Sequence, residues 1–304
     1  MPIQDDGDVQ AATSEVIDAH RRAGYLFDVD GVGSFVREEG SGPAVVLLHG
    51  VPSSSFLYRK VLPLLSAEGL RGVAFDFPGL GLAERPDDYD YSWSGLARFT
   101  GEALDALGIE RCHLVVHDIG GPIGCEWAVR HPDRVLSLTA LNTMLDVATF
   151  RRPWSMQPFA IRGVGEVYLR TMTRFAFSEL FYLQGVRDRS ATPREEVYAY
   201  VDLLKREDAG RAFLRIMRGF ERTEEKQRLL WDGLAPGRRA FPAQVVWGAE
   251  DPALGEKRRL AVQRVLGIDD PILLPAKHFL QEDQAAAIAG AIAALAKRDY
   301  ARGS

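Results

Sequence analysis

A chain of 304 residues, 46% hydrophobic and 26% charged, has the composition of a soluble globular protein with room for one core plus an insertion, or for two domains. Its net charge of −5 lacks the basic excess that a nucleic-acid partner calls for, and no apolar run approaches the roughly 20 residues that span a bilayer. The opening stretch MPIQDDGDVQAATSEVIDAHRRAG is acidic and has no apolar segment, so it does not read as a secretory signal; a cytoplasmic monomer or small homo-oligomer is expected.

Residues 1–24 form a polar extension. After it, YLFDVDGVGSFVREEGSG predicts two short strands joined at the Asp30-Gly31 turn signal. AVVLLHG (44–50) is a continuous apolar run closed by glycine, the pattern of a strand buried on both faces. FLYRKVLPLLSAEG then predicts a helix, RGVAFDFPG a strand, SGLARFTGEALDALG a helix and CHLVVHD a strand. GPIGCEWAVRHPD predicts the next helix and RVLSLTALN the next strand. This alternation defines an α/β class, a mostly parallel central sheet flanked by helices. Cys112 and Cys125 fall in these core segments, where free buried thiols are expected rather than a disulfide or a metal pair.

The rhythm changes at about Met144. From there to Trp231 the segments are amphipathic and arginine-rich, with 16 Lys/Arg against 12 Asp/Glu and no buried strand. The plain reading of that excess is a solvated helical surface. Alternation resumes with the strand AQVVWGAEDP, a helix near EKRRLAVQRVLG, the strand PILLPAKHF and a last helix from about Gln281. The expected organisation is a core of residues 25–143 and 232–304, interrupted by a helical unit at 144–231.

In open α/β sheets, ligands gather beyond the carboxyl ends of the strands. Four groups fall there: His49-Gly50-Val51-Pro52, Asp118, Asp251 and His278. Each has a plainer reading alone. An aspartate after a strand commonly caps a helix, His278 is a polar loop residue, and His49 beside a glycine is a structural hydrogen-bonding group. Their occurrence together at successive strand ends is what points to chemistry. Asp118 stands at the apex of VVHDIGG, a strand-turn-helix stretch, with Ile119 directly after it.

The order nucleophile, acid, histidine resembles that of the α/β-hydrolases. The segments HGVPSSSFLYRKVLP, AFDFPGLGLAERPDDYDYSW, LVVHDIGGPIG, WGAEDP and KHFLQED are similar to one branch, the haloalkane dehalogenases and epoxide hydrolases, whose nucleophile is an aspartate. The resemblance implies an α/β-hydrolase fold, with residues 144–231 as its helical cap. Asp118 would then attack carbon to form an alkyl ester, which His278 hydrolyses as general base while Asp251 orients the imidazole. The backbone N–H groups of Val51 and Ile119 would hold the oxyanion. A rival position for the acid carries Asn142, with Asp146 beyond it, and Asp251 is preferred. No cofactor and no metal are implied; the partners are water and a small, largely apolar substrate.

The leaving group separates the reactions. Dehalogenases hold the halide with a tryptophan after the nucleophile and with a second donor, either a cap tryptophan or an asparagine after the His-Gly pair. Ile119 and Val51 stand at two of those positions, and neither side chain donates a hydrogen bond. Fluoroacetate dehalogenases place arginines after the nucleophile, where this chain has Ile119 and Pro122. Epoxide hydrolases use cap tyrosines, and the cap has Tyr168, Tyr182, Tyr198 and Tyr200. Tyr168, fifty residues after Asp118, matches the first of them; in the region of the second stand Phe213 and Phe220. The first expectation is therefore an epoxide hydrolase with Tyr168 as acid, giving a vicinal diol. The alternative is a haloalkane dehalogenase, and more remotely a non-catalytic ligand-binding protein on the same fold. Trp154, Phe175 and Pro122 are expected to line the substrate pocket.

Overall fold

The computed structural model describes residues 6–303. Strands β1 (Tyr25–Val29) and β2 (Val32–Glu39) form the expected hairpin. Asp30 and Gly31 between them have φ of 50° and 82°, the pair of left-handed residues that a tight two-residue turn requires. The remaining strands are β3 (Ala44–Leu48), β4 (Arg71–Phe75), β5 (Cys112–Asp118), β6 (Val135–Thr143), β7 (Ala243–Gly248) and β8 (Ile272–Leu274). They make one eight-stranded sheet in the order β1-β2-β4-β3-β5-β6-β7-β8. The pairs β1–β2 and β2–β4 are antiparallel and all other neighbours are parallel.

Every residue of β3 and β5 is buried, which is why both read as unbroken apolar runs. Helices Leu62–Ala67 and Ala285–Gly303 pack together against the sheet, as do Trp93–Ala106 and Gly120–Arg130. Cys112 and Cys125 are buried and free.

Four elements differ from the sequence reading. The stretch FLYRKVLPLLSAEG splits into a 3-10 turn at Ser55–Tyr58 and a short helix at Leu62–Ala67. Pro63 has no N–H to give an interior turn, so it can stand only in the first turn, and the helix starts at Leu62. The last strand ends at Leu274, before Pro275, and the final helical segment breaks at Gln284 into Leu280–Asp283 and Ala285–Gly303. The polar N-terminal extension contains a helix, Asp6–Arg22, that packs on the helix Arg194–Lys205 and buries Val9, Thr13 and His20.

Between β6 and β7 the chain is helical, with Val164–Thr171, Arg174–Gln184, Arg194–Lys205, Arg211–Arg218 and Glu224–Leu234 forming a cap. An ionic cluster ties it to the core. Arg59 binds both oxygens of the buried Glu282 carboxylate, at 2.6 and 2.8 Å, and Lys60 joins at 2.7 Å. From the cap, Glu196 pairs with Arg59 and the Tyr200 hydroxyl donates to Glu282 at 2.5 Å. Burial alone would push the Glu282 carboxyl up, but Arg59 and Lys60 outweigh it and hold the group below the usual carboxylate range. Among the described residues, no helix is long and apolar enough to cross a membrane.

Candidate active site

Asp118 is the last residue of β5, and its φ of 51° turns the chain sharply into the helix Gly120–Arg130. A left-handed non-glycine residue is uncommon, and neighbours with no side chain make room for it. A Cβ on Gly50 would lie 2.3 Å from the Asp118 Cβ. One on Gly121 would lie 1.7 Å from Thr143 Oγ1, whose hydroxyl donates to the Asp118 carbonyl at 2.5 Å. These two glycines and Thr143 hold the elbow.

The turn aims the Asp118 carboxylate at two backbone donors. Oδ1 accepts the Val51 N–H at 2.9 Å, and the Ile119 N–H also serves the carboxylate. The other oxygen, Oδ2, faces His278 Nε2 at 3.7 Å. Burial raises the Asp118 carboxyl above its usual value, while His278 and the two N–H groups work in the opposite direction.

His278 lies in the loop after β8. Its Nδ1 meets Asp251 Oδ2 at 2.9 Å, which leaves Nε2 facing Asp118. Burial opposes the imidazolium, but the Asp251 carboxylate, and then Asp118, raise the histidine above its ordinary value. Asp251 is itself saturated: Oδ1 accepts the Ala253 and Leu254 N–H groups at 2.7 and 2.9 Å, and Oδ2 also accepts Asn142 Nδ2 at 2.6 Å. Burial pushes Asp251 up, yet His278 and these donors hold it low.

Asn142, at the rival acid position, is thus a partner of Asp251; its own Oδ1 accepts the Gly248 N–H at 2.7 Å. Asp146 is committed to an ion pair with Arg258. His49 is structural: it accepts the Phe77 N–H at 3.1 Å through Nε2, and burial lowers its pKa to about 4. His117 lies at 4.8 Å ring to ring from His278 and donates to its carbonyl at 2.9 Å; burial lowers it to about 3.

A cavity of about 870 Å³, part of it open to solvent, spans core and cap above this carboxylate. Val51, Asp118, Ile119 and His278 form its floor, together with the apolar side chain of Leu254. Phe159, Phe177, Phe181, Phe213 and Met217 make most of the cap wall. The cap wall has three polar side chains, Arg152, Ser155 and Gln184. The Ser155 hydroxyl donates to Gln184 Oε1 at 2.8 Å, fixing the carboxamide with its N–H₂ end unengaged among the described residues. Among the described residues, no tyrosine lines the cavity.

That corrects the expectation for Tyr168. It lies in a separate recess with Trp154, behind Met172 and Leu180, and its ring packs on Phe159 at 5.0 Å. The hydroxyls of Tyr182 and Tyr200 are given to the Thr192 carbonyl and to Glu282. Trp154 is 67% and Phe175 57% exposed, and neither lines the cavity. Pro122 is buried in the helix after the elbow, also off the cavity wall. In each case the sequence offered the right residue type but not the face of the element it occupies. Arg152, Ser155 and Gln184 carry no sequence signal: a Ser and a Gln 29 residues apart make no motif.

Fold and site together define a hydrolase elbow with an acid-histidine pair beside it. The chain belongs to the α/β-hydrolase superfamily, in its aspartate-nucleophile branch, and it is an enzyme of that family: the family model described as "alpha/beta hydrolase fold" matches residues 43–283. The chain is similar to "Haloalkane dehalogenase 2" of Mycobacterium bovis, 31% identical over 270 residues, which cover 84% of this chain and 88% of that one. Among solved structures, "Epoxide hydrolase CorEH" shares the fold with a TM-score of 0.76 at 20% identity, over 90% of this chain and 97% of the other. The haloalkane dehalogenase DatA of Agrobacterium tumefaciens does so with a TM-score of 0.74 at 23% identity, over 91% and 96%.

Proposed function

We propose that this hydrolase displaces halide from an apolar haloalkane through an ester on Asp118, with His278 as base, Asp251 as its orienting acid, and the Val51 and Ile119 N–H groups as oxyanion hole. The observation that carries the choice of leaving group is the cap wall, which presents the Gln184 carboxamide and no tyrosine. An opened epoxide leaves a strongly basic alkoxide that needs a proton, and a carboxamide has none to give at neutral pH. A halide needs only a hydrogen bond, which the Gln184 N–H₂ supplies. The 31% identity to a haloalkane dehalogenase supports the same reading.

In the first step Asp118 Oδ2 attacks the carbon, the C–O bond forms, and the C–X electron pair leaves as halide beside Gln184. In the second, His278 Nε2 takes a proton from water as the water oxygen attacks the Asp118 carbonyl carbon. Charge develops on Oδ1, already held by Val51. Collapse expels the alcohol, protonated by the imidazolium, and regenerates the acid, which ionises.

The test is to give the enzyme 1-bromohexane and styrene oxide separately, measuring bromide and diol. Bromide release is expected. Diol formation without bromide release would overturn the reading in favour of epoxide hydrolysis.

A further inference from the structure

Among the described residues, Arg152 is the one permanently cationic side chain on the cavity wall, and it has no carboxylate partner. Its Nη2 donates to the Met217 carbonyl, its Nε is buried without an acceptor, and its guanidinium lies over the Phe220 ring at 4.3 Å from the centroid. A second guanidinium, Arg222, adds positive potential beside it and is likewise in no ion pair, donating only to the Phe150 carbonyl at 3.3 Å. The acids nearby in sequence are committed elsewhere: Asp146 to Arg258, and Glu221 to Ser94 and Lys226. Desolvating a cation without a counter-charge is unfavourable, and burial, then Arg222, lower Arg152 to about 10, so it stays charged at neutral pH. Nε is sealed away, but a carboxylate would fit the Nη1/Nη2 end of the guanidinium by accepting the N–H groups that remain unengaged there.

We infer that Arg152 receives an anionic group of the substrate, a carboxylate at the end of an apolar chain whose reacting carbon lies at Asp118. Both residues line one cavity, so a single molecule can touch both. The substrate class is then a halogenated carboxylic acid with an apolar body. The position of its reacting carbon rests on the function proposed above; the anion site does not.

Calorimetric titration of the wild-type enzyme with hexanoate and with hexanamide tests the site without any turnover. Hexanoate is expected to bind at least about tenfold more tightly, the scale of one charge-assisted hydrogen bond, and Arg152→Met should abolish the preference. Arg152→Lys keeps the charge but loses the planar fork, and should weaken the preference severalfold. Equal affinity in the wild type, no hexanoate binding, or a preference unchanged in either variant would overturn the inference. Bromide release from 1-bromohexane without a carboxylate preference defeats this inference alone. A hexanoate preference lost in Arg152→Met, with no bromide from 1-bromohexane or 6-bromohexanoate, defeats the dehalogenase reading alone.

Discussion

The two walls of the cavity are built on opposite terms. On the core side the supporting polar groups are already engaged, Val51 N–H on Asp118, His278 Nδ1 on Asp251, Asp251 on Asn142 and two further N–H groups, which leaves the reacting atoms Asp118 Oδ2 and His278 Nε2 facing each other at 3.7 Å. On the cap side the Gln184 N–H₂ and the Arg152 Nη1 are left without partners among the described residues. A saturated network holds groups in one geometry, which suits the steps common to every substrate. Unsatisfied donors facing a cavity are costly until something fills it, which suits recognition. The contrast separates how the reaction is run from what it is run on.

Damage to the core wall should have the largest effects. Asp118→Asn removes the proposed nucleophile and should lower kcat by about 10⁴-fold or more, measured as product release from whichever substrate the enzyme turns over. His278→Gln should block only the second step, so a stable mass increase equal to the substrate's alkyl group should appear on the peptide carrying Asp118. Normal turnover without that adduct would end the covalent mechanism.

Asp251→Asn should cost about 10²- to 10⁴-fold, less than loss of the nucleophile because the histidine remains. Its pH profile sharpens the point. His278 must be neutral to act as base, so activity falls as pH drops through its pKa. Asp118 carries no charge once esterified, so Asp251, the larger of the two charges that raise His278, is the one left to hold the acidic limb of kcat up. In Asp251→Asn the main raising charge is gone and burial works unopposed by it, so the limb should move to lower pH. A limb that stays in place would remove Asp251 from that role.

The same contrast explains what the sequence could reveal. The core wall was legible because strand ends bring its residues together in a fixed order, and a glycine beside the elbow leaves a motif. The hairpin was legible for a similar local reason, the positive φ that Asp-Gly tolerates. Asn142 was noticed only as a rival acid, since its partner lies 109 residues away. The cap wall was not legible. Tyr168 sits at a telling spacing, but the short helix Val164–Thr171 presents it to Phe159 and a second recess. In RRPWSMQPF the conspicuous tryptophan turns out to solvent, while Arg152 and Ser155 face the cavity. Helical rotation and loop path decide such cases, and neither is written in composition.

The seam between the walls offers a stability test of intermediate size. Glu282→Gln leaves Arg59 and Lys60 facing a neutral group in a buried site, which typically costs about 3 kcal/mol. Denaturant unfolding should show that loss, while the His278 pH limb should stay where it was. A shift in the limb would mean the ionic cluster also tunes the base, and the division between walls would be less sharp.

The smallest expected effect carries the most specific correction. Tyr168→Phe deletes one hydroxyl in the recess behind Met172 and Leu180 and keeps the ring on Phe159. If the cavity's own wall sets the leaving-group chemistry, rates with 1-bromohexane and with styrene oxide should both stay within about twofold of wild type, the scale of a remote, non-contacting change. Gln184→Leu, by contrast, keeps the bulk of a side chain on the wall and removes the donor, so bromide release should fall by about 10²-fold. If Tyr168→Phe proved the more damaging of the two, the recess and the cavity would have to be one site during turnover, and the hydroxyl would regain the role its spacing suggested.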